Sequence, residues 1–259
     1  MGLCIHTEIE VTKFVTMNIR YRKWSRWLAL AVAIPLILCA VFHPVNSGVL
    51  RLITIGAIIT TILTLLLWNW RDRFRRILVI GGICVGFVPL ILPNRPVDGV
   101  ALRKDYIQAL THFEGTRYHW GGETHTGIDC SGLPRRALQQ AMLRQGLTRL
   151  NGGLIRNALF HWWFDASAEA LAVGYRNYAV PLDRPTETNS TIRTMPYEGL
   201  NPGDFAVTGD RQHLIVYLGN DQWIQADPGT GRVLTLHGYQ GDNPWFHSPV
   251  TMHRWAILN

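Results

Sequence analysis

Three apolar stretches within residues 27–93 constrain everything that follows them. They run from about Trp27 to Phe42, from about Val49 to Trp68, and from Ile77 to Pro93. A helix crossing a hydrocarbon core of about 30 Å needs about 20 residues, and about 17 is near the lower limit. The second stretch meets that length, with Arg51 near its start placed to snorkel to the interface. The first and third are shorter but bounded by charge. Their alternative reading is a pair of buried core helices or a re-entrant pair.

The flanking charges predict a topology. Arg20, Arg22, Lys23 and Arg26 precede the first stretch, and Arg71, Arg73, Arg75 and Arg76 fill the loop after the second. The loop between the first two, His43 to Gly48, has no Lys or Arg. Basic residues gather on the cytoplasmic side. Residues 1–26 and the 69–76 loop are therefore expected in the cytoplasm, and the region 27–93 is read as about three transmembrane helices. Three spans deliver everything after Pro93 to the outer side; two would leave it inside. A cleaved signal does not fit. Leu38 is too large for the residue before a lipoprotein-type Cys39, and two more apolar segments follow. His6 stands where an N-myristoylation signal carries Ser or Thr. Met17 is an alternative start.

The net charge of +7 divides unevenly. Residues 1–97 hold 11 Lys+Arg against 3 Asp+Glu, and residues 98–259 hold 14 against 15. The basic excess belongs to the apolar third. A nucleic-acid-binding domain carries its basic surface on its folded part, so nucleic acid is not an expected partner; a lipid bilayer is.

After a short linker, 94–99, the pattern becomes that of a soluble domain, 100–259. Val100 to Phe113 has helical apolar spacing. A second helix is expected from the Gly127–Gly132 region to about Gln145, and a third over residues 157–173. Residues 181–199 are polar and proline-marked, hence loop. Five short strands are then predicted at Asp204–Thr208, His213–Leu218, Gln222–Ala226, Arg232–Leu236 and His253–Leu258. Helices first and strands later, with tight connections, give an α+β domain with an antiparallel sheet of about five strands.

Cys130 is the one cysteine after residue 84, so it has no partner for a disulfide within this part. It is either a small buried hydrophobe or a nucleophile. Asp129 is a good N-cap residue, which would put Cys130 in the first turn of a helix. Backbone N–H groups and the dipole there favour a thiolate and could hold an oxyanion. Pro134 complicates this: either the helix kinks at it, or Cys130 to Leu133 form a separate turn before it. Thiol chemistry also needs a base. Among the histidines His213 stands out, because it opens the apolar run Leu214 to Gly219. The spacing of His112, His119 and His125 is not that of a zinc site, and neither a metal nor a cofactor is expected.

Five motifs now occur in order. They are Tyr118-His-Trp-Gly-Gly122, Asp129-Cys-Ser-Gly-Leu133, Leu200-Asn-Pro-Gly-Asp204, His213-Leu-Ile-Val-Tyr-Leu-Gly219 and Trp223-Ile-Gln-Ala226. Together they resemble the NlpC/P60 family of cysteine peptidases over about residues 100–258. The resemblance implies a papain-like α+β fold and hydrolysis of amide bonds in bacterial cell-wall peptides, often next to D-glutamate. It implies Cys130 as nucleophile, His213 as base and then acid, and Gln225 as the residue that orients the imidazole. Tyr118 would line the nucleophile's pocket, and Asp129 and Ser131 would contact the free amine of a stem peptide. With the topology above, it implies a multi-pass protein of the bacterial cytoplasmic membrane with its catalytic domain on the periplasmic or extracellular side. Oligomeric state is not legible.

The chain departs from the family pattern in places. The third residue is usually His, and Gln225 cannot carry a full negative charge. A plain three-residue hairpin loop at Asn220–Gln222 would pair Tyr217 with Gln225 and leave Asp227 diagonal to His213, at about 7 Å. Gln225 and Asp227 both remain candidates unless a bulge or twist intervenes. Cys130 and His213 are far apart in sequence because of an insert at about 146–198, read as helical. It carries Phe160-His-Trp-Trp-Phe164, which either packs on the domain or forms a groove wall or membrane-interface contact. Two other functions fit less well. Acyltransferases and lipid amidases of the wider superfamily often place the histidine before the cysteine. A decayed wall-binding protein would not need Cys130 and His213.

Overall fold

The computed structural model describes residues 24–182 and 190–259. Arg20, Arg22 and Lys23 of the basic flank lie outside them, as does the centre of the proline-marked loop. Two units divide the chain. One comprises residues up to Phe42 and Ser47–Gly86; the other comprises His43–Asn46 and Phe87–Asn259.

The first unit is built from α1 (Trp24–Phe42), α2 (Gly48–Trp68) and the larger part of α3 (Arg73–Ile91), of 19, 21 and 19 residues. Each is long and apolar enough to cross a membrane, and together they fit a membrane anchor. Large apolar side chains such as Leu52, Phe74, Ile77 and Val85 are exposed along them. Ser47 caps α2 by accepting from the Leu50 amide. Arg51, near the start of α2, is buried, at 1% exposure.

The second unit is α+β. Its helices are α4 (Gly99–His112), α5 (Gly132–Thr148), α6 (Gly152–Trp163) and the short α7 (Ala168–Ala172). A two-residue hairpin, β1 (Glu123–Thr124) and β2 (Gly127–Ile128), precedes α5. The remaining strands are β3 (Ala179–Pro181), β4 (Phe205–Thr208), β5 (Leu214–Gly219), β6 (Gln222–Asp227), β7 (Arg232–His237) and β8 (Val250–Trp255). They form one antiparallel sheet in the order β3-β8-β4-β5-β6-β7.

The antiparallel sheet is as expected, and its sixth strand is β3, which pairs with β8 from inside the insert. Three expectations are corrected. The insert is not purely helical, and the three residues of β3 are too few to show a strand period. Residues 157–173 are not one helix but the end of α6 plus α7. Asn151 caps α6 and Ser167 caps α7, and a cap in mid-segment starts a new helix. The last strand ends at Trp255, and Ala256–Leu258 form a 3-10 turn.

Alternation along the strands makes two cores. Phe205, Val207, Leu214, Val216, Ile224 and Trp255 face the helices. Ala206, Ile215, Tyr217, Trp223 and Met252 face the other way, under Phe246. Asp204, fully buried at the end of the Leu200–Asp204 turn, accepts a bidentate pair from Arg254 at 2.6 and 2.7 Å. That pair locks the entry of β4 to β8, and β4 in turn holds β5, where His213 begins.

Candidate active site

The Cys130 turn is assembled by Asp129. Its Oδ1 accepts from the Gly132 amide at 2.6 Å and from the Ser131 hydroxyl at 3.0 Å, and its Oδ2 accepts from the Gly121 amide at 2.8 Å. The Leu133 amide closes the turn on the Asp129 carbonyl. Asp129 thus caps the segment, while Cys130 and Ser131 form a separate turn and α5 begins at Gly132. Pro134 is then the third helical residue, where an N–H has no intrahelical partner to lose; no kink is needed. Gly132 must be glycine, since a Cβ there would collide with the Gly122 carbonyl oxygen. The backbones of the 121–122 and 129–132 segments therefore touch.

The thiol of Cys130 is buried and lies against the mouth of β5. Its Sγ donates to the Gln212 carbonyl at 3.6 Å, and the Leu214 amide also reaches it. Both are neighbours of His213 in the chain. His213 is pinned at both backbone atoms by Thr208, whose hydroxyl accepts from the His213 amide at 3.0 Å and whose own amide donates to the His213 carbonyl at 3.1 Å. His213 is 1% exposed.

The imidazole meets Gln225, not Asp227. His213 Nε2 and Gln225 Oε1 are 2.6 Å apart. An amide oxygen only accepts, so Nε2 carries the proton and Nδ1 carries the free lone pair. The three-residue hairpin loop is not formed. Asn220 and Asp221 make a two-residue turn with φ of 51° and 59°, Gly219 pairs with Gln222, and a bulge shifts the register between Tyr217 and Gly219. Tyr217 consequently pairs with Trp223 and Val216 with Ile224. Carried one pair further, that register sets Gln225 opposite Ile215, diagonal to His213. Asp227 is engaged elsewhere, accepting from Gly229 N, Asn243 Nδ2 and Trp245 Nε1. Trp245 stacks on the His213 ring, with centroids 4.2 Å apart and planes 18° apart.

Burial favours the neutral form of both side chains. It pushes the Cys130 thiol up to about 12, helped by the Asp129 charge and opposed by the Leu214, Ser131 and Cys130 amides. It pulls His213 down to about 4, against the Gln225 hydrogen bond and the charges of Asp227, Asp210 and Asp129. Half-buried Tyr118 sits in the same field and is raised to about 12 by burial, then by Cys130, Asp129 and Asp227. The resting pair is thus thiol and imidazole, not thiolate and imidazolium. Alkylation of Cys130 by iodoacetamide should accordingly climb about tenfold per pH unit from pH 6 to 9, because only the thiolate reacts. The labelled peptide can be quantified by mass spectrometry. A rate flat between pH 5 and 8 would mean a preformed ion pair and contradict this electrostatic picture.

Residues 115–247 match the sequence profile of the NlpC/P60 family, just over half of the chain. The chain belongs to the NlpC/P60 family. Among solved structures it is similar to the P60 domain of an antigen from M. avium subspecies paratuberculosis, at 19% identity and a TM-score of 0.37, covering 63% of this chain and 99% of that one. It is also similar to the peptidoglycan hydrolase RipB from Mycobacterium tuberculosis, at 19% identity and a TM-score of 0.38, covering 67% and 79%. NlpC1 from Trichomonas vaginalis matches at 18% identity and a TM-score of 0.39, covering 62% of this chain and 46% of that one, about half its length. No curated protein gives a match.

Within this NlpC/P60 domain, Cys130, Asp129 and Ser131 share one turn, His213 and Gln225 share a hydrogen bond, and Tyr118 lies in the field of that turn. Sequence reasoning missed Trp245 and Asn243, which brace the ring and Asp227. They sit in a Gly/Asp/Asn/Pro-rich loop, and nothing local marks such a loop as folding back over a strand. It also missed Arg135, whose Nη2 lies 2.7 Å from Glu123 Oε1 in a buried ion pair beneath the Cys130 turn.

Proposed function

We propose that this chain is a membrane-anchored cysteine peptidase that hydrolyses amide bonds in peptidoglycan stem peptides through Cys130, His213 and Gln225. The observation that carries this is the hydrogen bond from His213 Nε2 to Gln225 Oε1, which frees Nδ1 at the strand mouth where the Cys130 thiol lies. In the first step Nδ1 takes the thiol proton as Sγ attacks the carbonyl carbon. The Cys130 and Ser131 amides, which already favour charge on the sulfur, are positioned to stabilise the oxyanion. Collapse of the tetrahedral species breaks the C–N bond, and Nδ1–H protonates the leaving amine. Water, deprotonated by Nδ1, then hydrolyses the thioester and returns the proton to sulfur. Gln225 and the Trp245 stack hold the ring in one tautomer and orientation throughout. No cofactor enters these steps.

The family resemblance supports cell-wall peptides as substrate. Tyr118 lines the approach to the sulfur. Asp129 and Ser131 are the proposed contacts for a substrate amine; Asp129 accepts three internal hydrogen bonds, and a carboxylate has about four acceptor sites. Gln225→Ala should lower kcat about 100-fold, the scale of general acid–base catalysis. Asp227→Asn, which keeps the shape but removes the charge, should cost far less. Equal or reversed losses, measured on one purified substrate, would assign orientation to Asp227.

The loop between α1 and α2 supports an outward-facing domain. The Pro44 carbonyl accepts from the Glu123 amide at 2.8 Å, and Val45 bridges Gly122. A loop packed on the domain must share its side of the bilayer. That loop is the one without Lys or Arg, so the positive-inside rule sends both outward. A topology in which only one of α2 and α3 crosses would separate them. A reporter fused after Asn259 should therefore be active only outside the cytoplasm; a cytoplasmic signal would contradict the topology and remove access to the wall. Full-length protein in detergent should release soluble peptides from isolated sacculi, and no release from any wall type would refute the activity.

A further inference from the structure

The insert helix α6 is fastened to the end of α3. Arg156 Nη1 donates to the Leu90 carbonyl at 2.5 Å and to the Leu92 carbonyl at 3.0 Å, and its Nη2 reaches Asn94 Oδ1. The Gly152 amide donates to the Pro93 carbonyl at 3.1 Å. Asn151 both accepts from the Arg95 amide and donates to the Arg95 carbonyl. The last carbonyls of a helix have no intrahelical partners, and here α6 supplies them. The terminus of the third candidate span and the aromatic end of α6 are therefore one structure.

Where they meet is an apolar cavity of about 570 Å³, lined by Leu90, Leu159, Phe160, Trp162, Trp163 and Phe164 beside the Arg156 stem. Phe160 is 56% exposed and Leu159 41%. Leu90 lies one residue from the end of α3, so with α3 as a span the cavity would sit where that helix leaves the hydrocarbon. Trp is enriched at that depth, and Arg keeps its head polar while its stem covers apolar surface. Exposed Arg176 stacks on Phe164 at 3.4 Å, which brings a second cation to the rim, where lipid phosphates would lie.

We infer that this aromatic corner of α6 is embedded in the outer-leaflet interface, with lipid acyl chains filling the cavity, so that the catalytic domain is held against the membrane at a second place besides its tether. The inference rests on the membrane-anchored reading. It commits to lipid because the cavity wall is continuous with α3 through Leu90.

The test uses the full-length chain in phospholipid nanodiscs, with native cysteines replaced and a nitroxide attached at Phe160→Cys or, as a second position, Leu159→Cys. Reference labels go at Ile80→Cys on α3 and at Thr230→Cys in the exposed β6–β7 turn. The expected result is that labels at 159 and 160 are relaxed by oxygen like the label at 80, and lose the nickel-chelate relaxation seen at 230. Nickel access at 159 and 160 with protection at 80 would overturn the inference while leaving the anchor intact. Nickel access at 80 as well would overturn both. Protection from both reagents at 159 and 160 would mean a protein surface covers the cavity, and would also overturn it.

Discussion

Cys130→Ala is expected to abolish peptide release from sacculi, with a loss of at least about 10⁴-fold, while the protein remains folded. The size follows from the proposed chemistry. Without Sγ no covalent intermediate forms, and the remaining machinery can only position water. The fold survives because the thiol contributes little to it. As a donor it makes the long 3.6 Å contact to the Gln212 carbonyl, and the amides that reach the sulfur meet a weak acceptor. The turn around it is built by Asp129 and by the Gly122–Gly132 contact, neither of which uses the cysteine side chain. The thermal midpoint should therefore move little, since losing one small buried group costs about 1 kcal/mol. Retained activity in Cys130→Ala would show that the thiol is a core residue. Lost activity together with a collapsed midpoint would show that the turn depends on it structurally.

Glu123→Ala is expected to destabilise the fold strongly. Glu123 is on β1 and Arg135 on α5, and their side chains are 5% and 6% exposed. Arg135 also donates from Nε to the Ser131 carbonyl at 3.2 Å. The pair thus ties the β1–β2 hairpin to the turn that carries Cys130. Removing the carboxylate leaves the Arg135 guanidinium buried, with the Ser131 carbonyl as its partner among the described residues. Breaking a buried pair costs about 3–5 kcal/mol. For a domain of this size that should lower the thermal midpoint by about 10 °C, read by tryptophan fluorescence in detergent. Replacing both partners with apolar residues of similar volume, Glu123→Leu with Arg135→Met, should recover most of the loss, because a buried pair is worth little against good packing. A single mutant with an unchanged midpoint would show that the pair is not coupled to folding.

How much was legible follows the range of each interaction. The Asp129-Cys-Ser-Gly turn could be read because its capping bonds lie within four residues. The three apolar helices could be read because length and hydropathy suffice for them. The choice between Gln225 and Asp227 could not, because it turns on a bulge near Leu218 and on a two-residue turn whose positive-φ residues are Asn220 and Asp221 rather than glycine. Strand β3 was hidden because three residues carry no period, and only β8 makes Ala179–Pro181 a strand. The Arg135–Glu123 pair and the Trp245 stack join segments that have no local pattern in common. The aromatic run at 160–164 was visible, but its attachment to Leu90 and Leu92 through Arg156 was not, since arginine on a helix surface is ordinary.

Cys130, with His213 and Gln225, is proposed to cleave amide bonds in wall peptides. Digestion of defined muropeptides followed by mass spectrometry tests it most directly. The wild-type chain should convert an intact stem peptide into two products whose masses sum to the substrate plus one water, and Cys130→Ala should leave the substrate whole. Identical chromatograms for the two proteins across several muropeptide types would contradict the claim.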